Sequence, residues 1–159
     1  MKTLTVPDET PVFPLRWVVA TNDEAAPLVI RLMLALVLFP HGAQKLLGWF
    51  GGYGFDGTMQ YFTETVNLPY LLSIGIILIE FVTPFLLIAG LFTRVVGVLV
   101  SLLFTGIILT AHVKVGFFMN WDGNQPGEGF EYHLLIVAMA VSLLLSGGGK
   151  LSLDNRLAK

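Results

Sequence analysis

A chain of 159 residues that is 55% hydrophobic and 13% charged, with a mean hydropathy of +0.77, has too little charge to cover a soluble domain, in which about 25% of residues are charged. Its net charge of -2 and its lack of a basic run give no electrostatic footprint for DNA or RNA. Without cysteine it forms no disulfide, dithiol centre, iron–sulfur cluster or covalent haem link, so redox chemistry would need a non-covalent cofactor or a partner.

Residues 1–26 carry Asp8, Glu9, Asp23 and Glu24 with Pro7, Pro11 and Pro14, a pattern unlike a signal peptide, and are expected to form a mobile cytoplasmic arm. Four apolar stretches follow, at 28–48, 69–91, 94–114 and 131–147. They reach or approach the roughly 20 residues that a helix needs to cross a hydrocarbon core. The expected fold class is all-α, a four-transmembrane-helix antiparallel bundle over 27–154 in contact with the lipid bilayer, ending in a cytoplasmic tail at 155–159. Between the first two spans, Phe55, Met59, Phe62 and Val66 recur at helical spacing beside Gln60 and Glu64, predicting a short helix in the outer interface. Asn67, before Leu68-Pro69, is expected to cap the second span. Gly90 should end that helix and Thr93 cap the third, making the two antiparallel neighbours. The small residues Gly97, Ser101 and Thr105, and likewise Ala138, Ser142 and Ser146, should face other helices. Residues 116–130, rich in glycine, read as a loop. Of nine Lys and Arg residues, all but Lys45 and Lys114 fall on one side of this threading, which predicts that both termini are cytoplasmic.

Polar groups inside apolar runs are costly and are the first candidates for chemistry. His41, Gln44, Lys45 and Gly48 stand at i, i+3, i+4 and i+7 beside Pro40, hence on one face. Glu80 sits near the middle of the second span, in line with Ser73 and Pro84, and His112 shares a face with Gly97, Ser101 and Thr105. All three helices are expected to aim these groups at the bundle interior. Arg31 and Arg94 should snorkel at cytoplasmic helix ends, and Lys45 and Lys114 have the same option outward. Glu80 lies too deep for that, so it must be protonated, paired with a cation such as Lys45, or wet. Counted at about 1.5 Å per residue, Glu80 lies roughly 16 Å from the outer boundary, His41 about 10 Å, and Lys45 and His112 about 5 Å. This ladder would exchange protons with the outer face only. The candidate catalytic residues are Glu80 and His41, and the candidate ligand-binding residues are His41, Gln44, Lys45, Glu80 and His112. No metal site is predicted. His133 and Glu131, two residues apart, diverge by about 200° on a helix and cannot both join His41 and His112.

Arg31, His41-Gly42-Ala43-Gln44-Lys45-Leu46 with Gly48, Glu80, Gly90-Leu91-Phe92-Thr93-Arg94, His112 with Gly116-Phe117-Phe118, Glu131-Tyr132 and Gly149-Lys150-Leu151-Ser152-Leu153-Asp154, in this order over about residues 28–154, together resemble the DoxX family of small bacterial membrane proteins. The resemblance implies a four-helix membrane bundle in the bacterial cytoplasmic (inner) membrane. It also implies a relation to the membrane subunit of thiosulfate:quinone oxidoreductase and to membrane complexes concerned with thiol and oxidative stress. The function expected from it is that of an accessory redox subunit, with an oxidoreductase partner and a pocket for quinone or another small molecule in the outer half of the bundle. His41, Gln44 and Lys45 would donate hydrogen bonds there and Glu80 would handle protons. The alternative is a non-enzymatic scaffold or assembly partner. A small transporter ranks third, because no internal repeat is present and a homo-oligomer would have to supply more helices.

Overall fold

The computed structural model describes residues 15–158, excluding the side chains at 15 and 16. The first fourteen residues of the expected arm and Lys159 fall outside that range. Seven α-helices follow in order: α1 (Leu15–Val19), α2 (Ala25–Leu47), α3 (Gly54–Gln60), α4 (Tyr70–Ala89), α5 (Thr93–Ile107), α6 (Glu131–Ser146) and α7 (Leu153–Leu157). A 3-10 turn at Trp49–Gly51 precedes α3, while π turns prolong α3 over Tyr61–Thr65 and α5 over Ile108–His112. Among the described residues the chain is helix, turn and loop without a strand.

Among the described residues three helices are long and apolar enough to cross a membrane: α2, α4, and α5 with its π turn (Thr93–His112). The fourth, α6, is apolar but only 16 residues long, which at 1.5 Å per residue is about 24 Å. Trp121 meets Tyr132 edge-on at its start, placing aromatic rings where an interface belt would lie. Leu34, Ala35 and Leu38 of α2, Leu87 of α4, Val96, Val100 and Phe104 of α5, and Ile136, Ala140 and Leu143 of α6 form one buried cluster. The opposite faces expose large apolar side chains such as Leu36, Leu71, Leu102 and Leu145. Apolar inside and out, the bundle is built for lipid.

The tight Gly90 to Thr93 connection does set α4 beside α5, but the most extensive pairings are α2 with α4 and α5 with α6. Gly97 makes the second pairing close: a β-carbon there would stand 2.7 Å from the Ala140 carbonyl oxygen. The expected seams hold only in part. Thr105 and Ala138 are exposed, and α6 buries the row Ile136, Ala140 and Leu143 instead. Small side chains alone did not mark the contact face, because in lipid a larger residue can occupy it where the facing helix supplies the glycine.

Two expected caps are corrected. Asn67 adopts φ 60° in the linker, and Pro69, extended at ψ 140°, is the N-cap of α4. Thr93 is the first residue of α5, whose exposed N–H groups are bound from outside: the Asp154 carboxylate accepts from Phe92 N at 2.8 Å and from Thr93 N at 2.9 Å. A carboxylate at a helix N-terminus also meets the positive end of the dipole.

Arg31 and Arg94 do not snorkel. Arg31 is 1% exposed, and all five of its N–H groups are used. Nε donates to the Gly148 carbonyl, Nη1 to Leu87 and Ile88, and Nη2 to Lys150 and Leu151, at 2.6–3.1 Å. The acceptors include carbonyls at the C-terminal end of α4 that a helix leaves unpaired. Arg94 donates to Ala20 and Leu144 carbonyls and lies 5.5 Å from the Trp17 ring centre. Residues 15–24 are thereby tied to the bundle: Val19 is buried, and the Glu24 carbonyl accepts from Lys150 N.

Candidate functional site

The inward stripe of α2 runs through Arg31, Leu34, Ala35, Leu38, Gly42 and Ala43. At Gly42 it meets α4 so closely that a β-carbon would collide with the Glu80 carbonyl and Phe81 Cα. That carbonyl is also the one whose helical donor is missing, since Pro84, four residues on, has no N–H. Glycine on α2 and proline on α4 thus bring the two backbones together at the level of Glu80.

This approach places Lys45, one turn beyond Gly42, within reach of Glu80. Its Nζ lies 2.5 Å from Glu80 Oε2, with side-chain exposures of 26% for Lys45 and 2% for Glu80. Of the three states open to a deep carboxylate, pairing is the one observed, so Lys45 does not snorkel outward. The other carboxylate oxygen, Oε1, is buried without a hydrogen-bond partner, as is Thr83 Oγ1, three residues on along the same helix. Lys45 faces two environments, because it also lines an open groove of about 280 Å³ with Gln44, Gly51, Gly52, Tyr53, Thr58, Tyr61 and Phe62. Glu80 lies behind that wall, screened by the Lys45 ammonium.

The groove is made by the Gly-rich turn after α2. Gly48 ends α2 in the left-handed conformation, and Gly52 folds back onto the Gln44 backbone too closely for a β-carbon. Gln44 Nε2 donates to the Phe50 carbonyl at 3.2 Å, using one of the two N–H groups of its amide. The amphipathic helix expected here is present as α3, which buries Thr58 and Met59 and leaves Gln60 and Glu64 hydrogen-bonded to each other at the surface.

Two predicted site residues stand apart. His41 precedes Gly42 and so points about 100° away from the inward stripe; it is exposed, though within electrostatic range of Lys45 and Glu80. An i, i+4 relation to Lys45 put it on the same sequence face, but the stripe passes through Gly42. His112, in the π turn, donates from Nδ1 to the Glu128 carbonyl at 2.8 Å and stacks on His133 with ring centres 4.2 Å apart. It contributes nothing to the Lys45–Glu80 pair. The expected ladder is therefore two pairs, Glu80 with Lys45 and His112 with His133, and His41 lies within electrostatic range of both. Among the described residues no three His, Asp or Glu side chains converge as a metal-ligating set. Tyr53, Thr58, Tyr61 and Phe62 are groove residues that sequence reasoning missed; the Gly51-Gly52 turn was the available signal that the chain folds back there.

Apolar helices packed in antiparallel pairs, with a lysine–glutamate ion pair set between two of them, define an α-helical integral membrane protein in contact with the bilayer. The chain belongs to the DoxX family, whose model matches residues 26–113, a range that holds both pair residues and the groove. It is 33% identical over 131 residues to "Putative oxidoreductase CatD" of Bacillus subtilis (strain 168), covering 82% of this chain and 86% of that protein. It is 27% identical over 133 residues to "Inner membrane protein YphA" of Escherichia coli (strain K12), covering 81% and 88%. No solved structure matches.

Proposed function

We propose that the protein is an accessory redox subunit of the bacterial inner membrane, holding a quinone-sized ring in the groove before Lys45. The carrying observation is the groove-lining Lys45 paired with the almost fully buried Glu80. Lys45 and Gln44 supply donors for carbonyl or anionic oxygens, Tyr53, Tyr61 and Phe62 supply ring faces, and Glu80 is the group that stores a proton. His41 is the surface group through which that proton exchanges. The names of the relatives, "Putative oxidoreductase CatD" and "Inner membrane protein YphA", support this reading. Quinone-linked electron transfer in membranes containing the protein and its oxidoreductase partner is expected to fall about tenfold or more in Glu80→Gln and Lys45→Met, and measurably in His41→Phe. Full activity in all three would leave the pair as a helix fastener and favour the scaffold.

Orientation belongs to the same proposal. Arg31, Arg94, Lys150 and Arg156 lie at the end of the bundle where α2 begins and α4 ends, and this excess of basic residues supports a cytoplasmic position for that end. A reporter active only outside the cytoplasm should work when fused after Asp56 or Gly123 and stay silent after Thr93 or Lys159. The reverse pattern contradicts the orientation.

A further inference from the structure

We infer that binding of an anion in the groove is coupled to uptake of one proton by Glu80, because both anions draw on a single Lys45 ammonium. The inference rests on the groove being the ligand site and adds to that reading a specific linkage. Lys45 has three N–H groups; one serves Glu80 Oε2, and no other side-chain hydrogen bond is made by the ammonium among the described residues. Lys45 lines an open groove on one side, and on the other its ammonium pairs with a carboxylate that is almost fully buried.

A second negative charge on the groove side repels the Glu80 carboxylate across a few ångströms of low-dielectric protein, where Coulomb energy is weakly screened. Gly42 packs against the Glu80 backbone, so the carboxylate cannot retreat by moving α4. Taking a proton removes the repulsion. Oε1 is the atom placed to receive it, being buried and unpartnered while Oε2 is held by Lys45. The balance is simple. A ligand anion and one proton from solvent enter, the Lys45–Glu80 ion pair is exchanged for a Lys45–ligand ion pair, and Glu80 ends neutral.

The other titratable or charged groups around Glu80 are few. On α2 His41 lies in range. The π turn after α3 carries Tyr61 and Glu64, the latter exposed and bound by Gln60. On α5 the charged residue is Arg94, committed to Ala20 and Leu144. His41 lies in turn within electrostatic range of His133, so these two imidazoles are the alternatives to Glu80 as the proton acceptor, and Glu80→Gln separates it from both.

The test is titration calorimetry on the full-length protein in detergent, run in buffers of differing ionisation enthalpy so that protons taken up per ligand are counted. The probe is lawsone, a hydroxynaphthoquinone that is an anion at neutral pH, with menadione as the neutral ring. Lawsone should bind with uptake of about one proton and menadione with none. Uptake should persist in His41→Phe and vanish in Glu80→Gln, which should still bind lawsone. An infrared difference spectrum of the wild type provides a second readout, a protonated-carboxyl band appearing on lawsone binding. Lawsone binding without uptake, or uptake that survives Glu80→Gln or is lost in His41→Phe, overturns the coupling while leaving the groove a ligand site. Binding of neither ring removes the groove reading and the coupling together.

Discussion

Arg31→Met is expected to leave almost no folded protein after detergent extraction. The substitution strands the carbonyls of Ile88, Gly148, Lys150 and Leu151 and takes from the Leu87 carbonyl one of its two donors, the other being Gly90 N. A cost of about 4–5 kcal/mol or more, at the exceptional end for single substitutions, follows because several buried acceptors lose their donors at once. Arg31→Lys separates geometry from charge. Lysine has three donors on one nitrogen and cannot spread over five acceptors, so it should recover only part of the loss and remain roughly 2–3 kcal/mol below the wild type. Thermal stability followed by size-exclusion chromatography reads both. A lysine variant as stable as the wild type would mean that the site needs only a positive charge at a helix end.

The second large effect is an asymmetry. Lys45→Met leaves Glu80, 2% exposed, without its cation, and should cost about 3 kcal/mol, the order expected when one partner of a buried pair is removed. Glu80→Gln leaves Lys45, whose side chain is 26% exposed and can turn into the groove, so its cost should be smaller. The double variant should be more stable than the sum of the two losses predicts, since the costly state is the unpaired carboxylate. Strict additivity in the same melting experiment would show that the two residues do not interact in the membrane protein.

What was legible in the sequence was legible for physical reasons. Four apolar runs gave four helices with bounds shifted by a few residues, because spanning length and the lack of charge constrain a bilayer helix strongly. Glu80 was conspicuous because a carboxylate in such a run needs a partner, and Lys45 was the nearest cation on a neighbouring helix. The roles of Arg31, Asp154 and the Gly149 to Asp154 segment were not legible. Snorkelling is the ordinary behaviour of an arginine near a helix end, and only tertiary structure reveals that the closing loop turns its carbonyls toward Arg31. The outward placement of His41 was not legible for a different reason: helical spacing relates residues to one another, not to the bundle axis. Gly42, through its contact with Glu80, sets that axis and turns His41 outward. The order of the family-like segments makes sense in these terms, since Arg31, the Gly90 to Arg94 turn and the closing loop meet at one end, and Gly42, Lys45 and Glu80 meet nearer the other.

The central claim is that the groove in front of the Lys45–Glu80 pair holds a ring-bearing small molecule. Its most direct test is to purify the protein from native membranes in mild detergent and identify lipid-soluble molecules by mass spectrometry, comparing wild type with Lys45→Met. The account predicts a quinone-like compound retained by the wild type and depleted at least about tenfold in the variant, the loss expected when a charge-assisted hydrogen bond of about 1.5–3 kcal/mol is removed. A wild-type preparation without such a compound, or one matched by equal amounts in Lys45→Met, would contradict it.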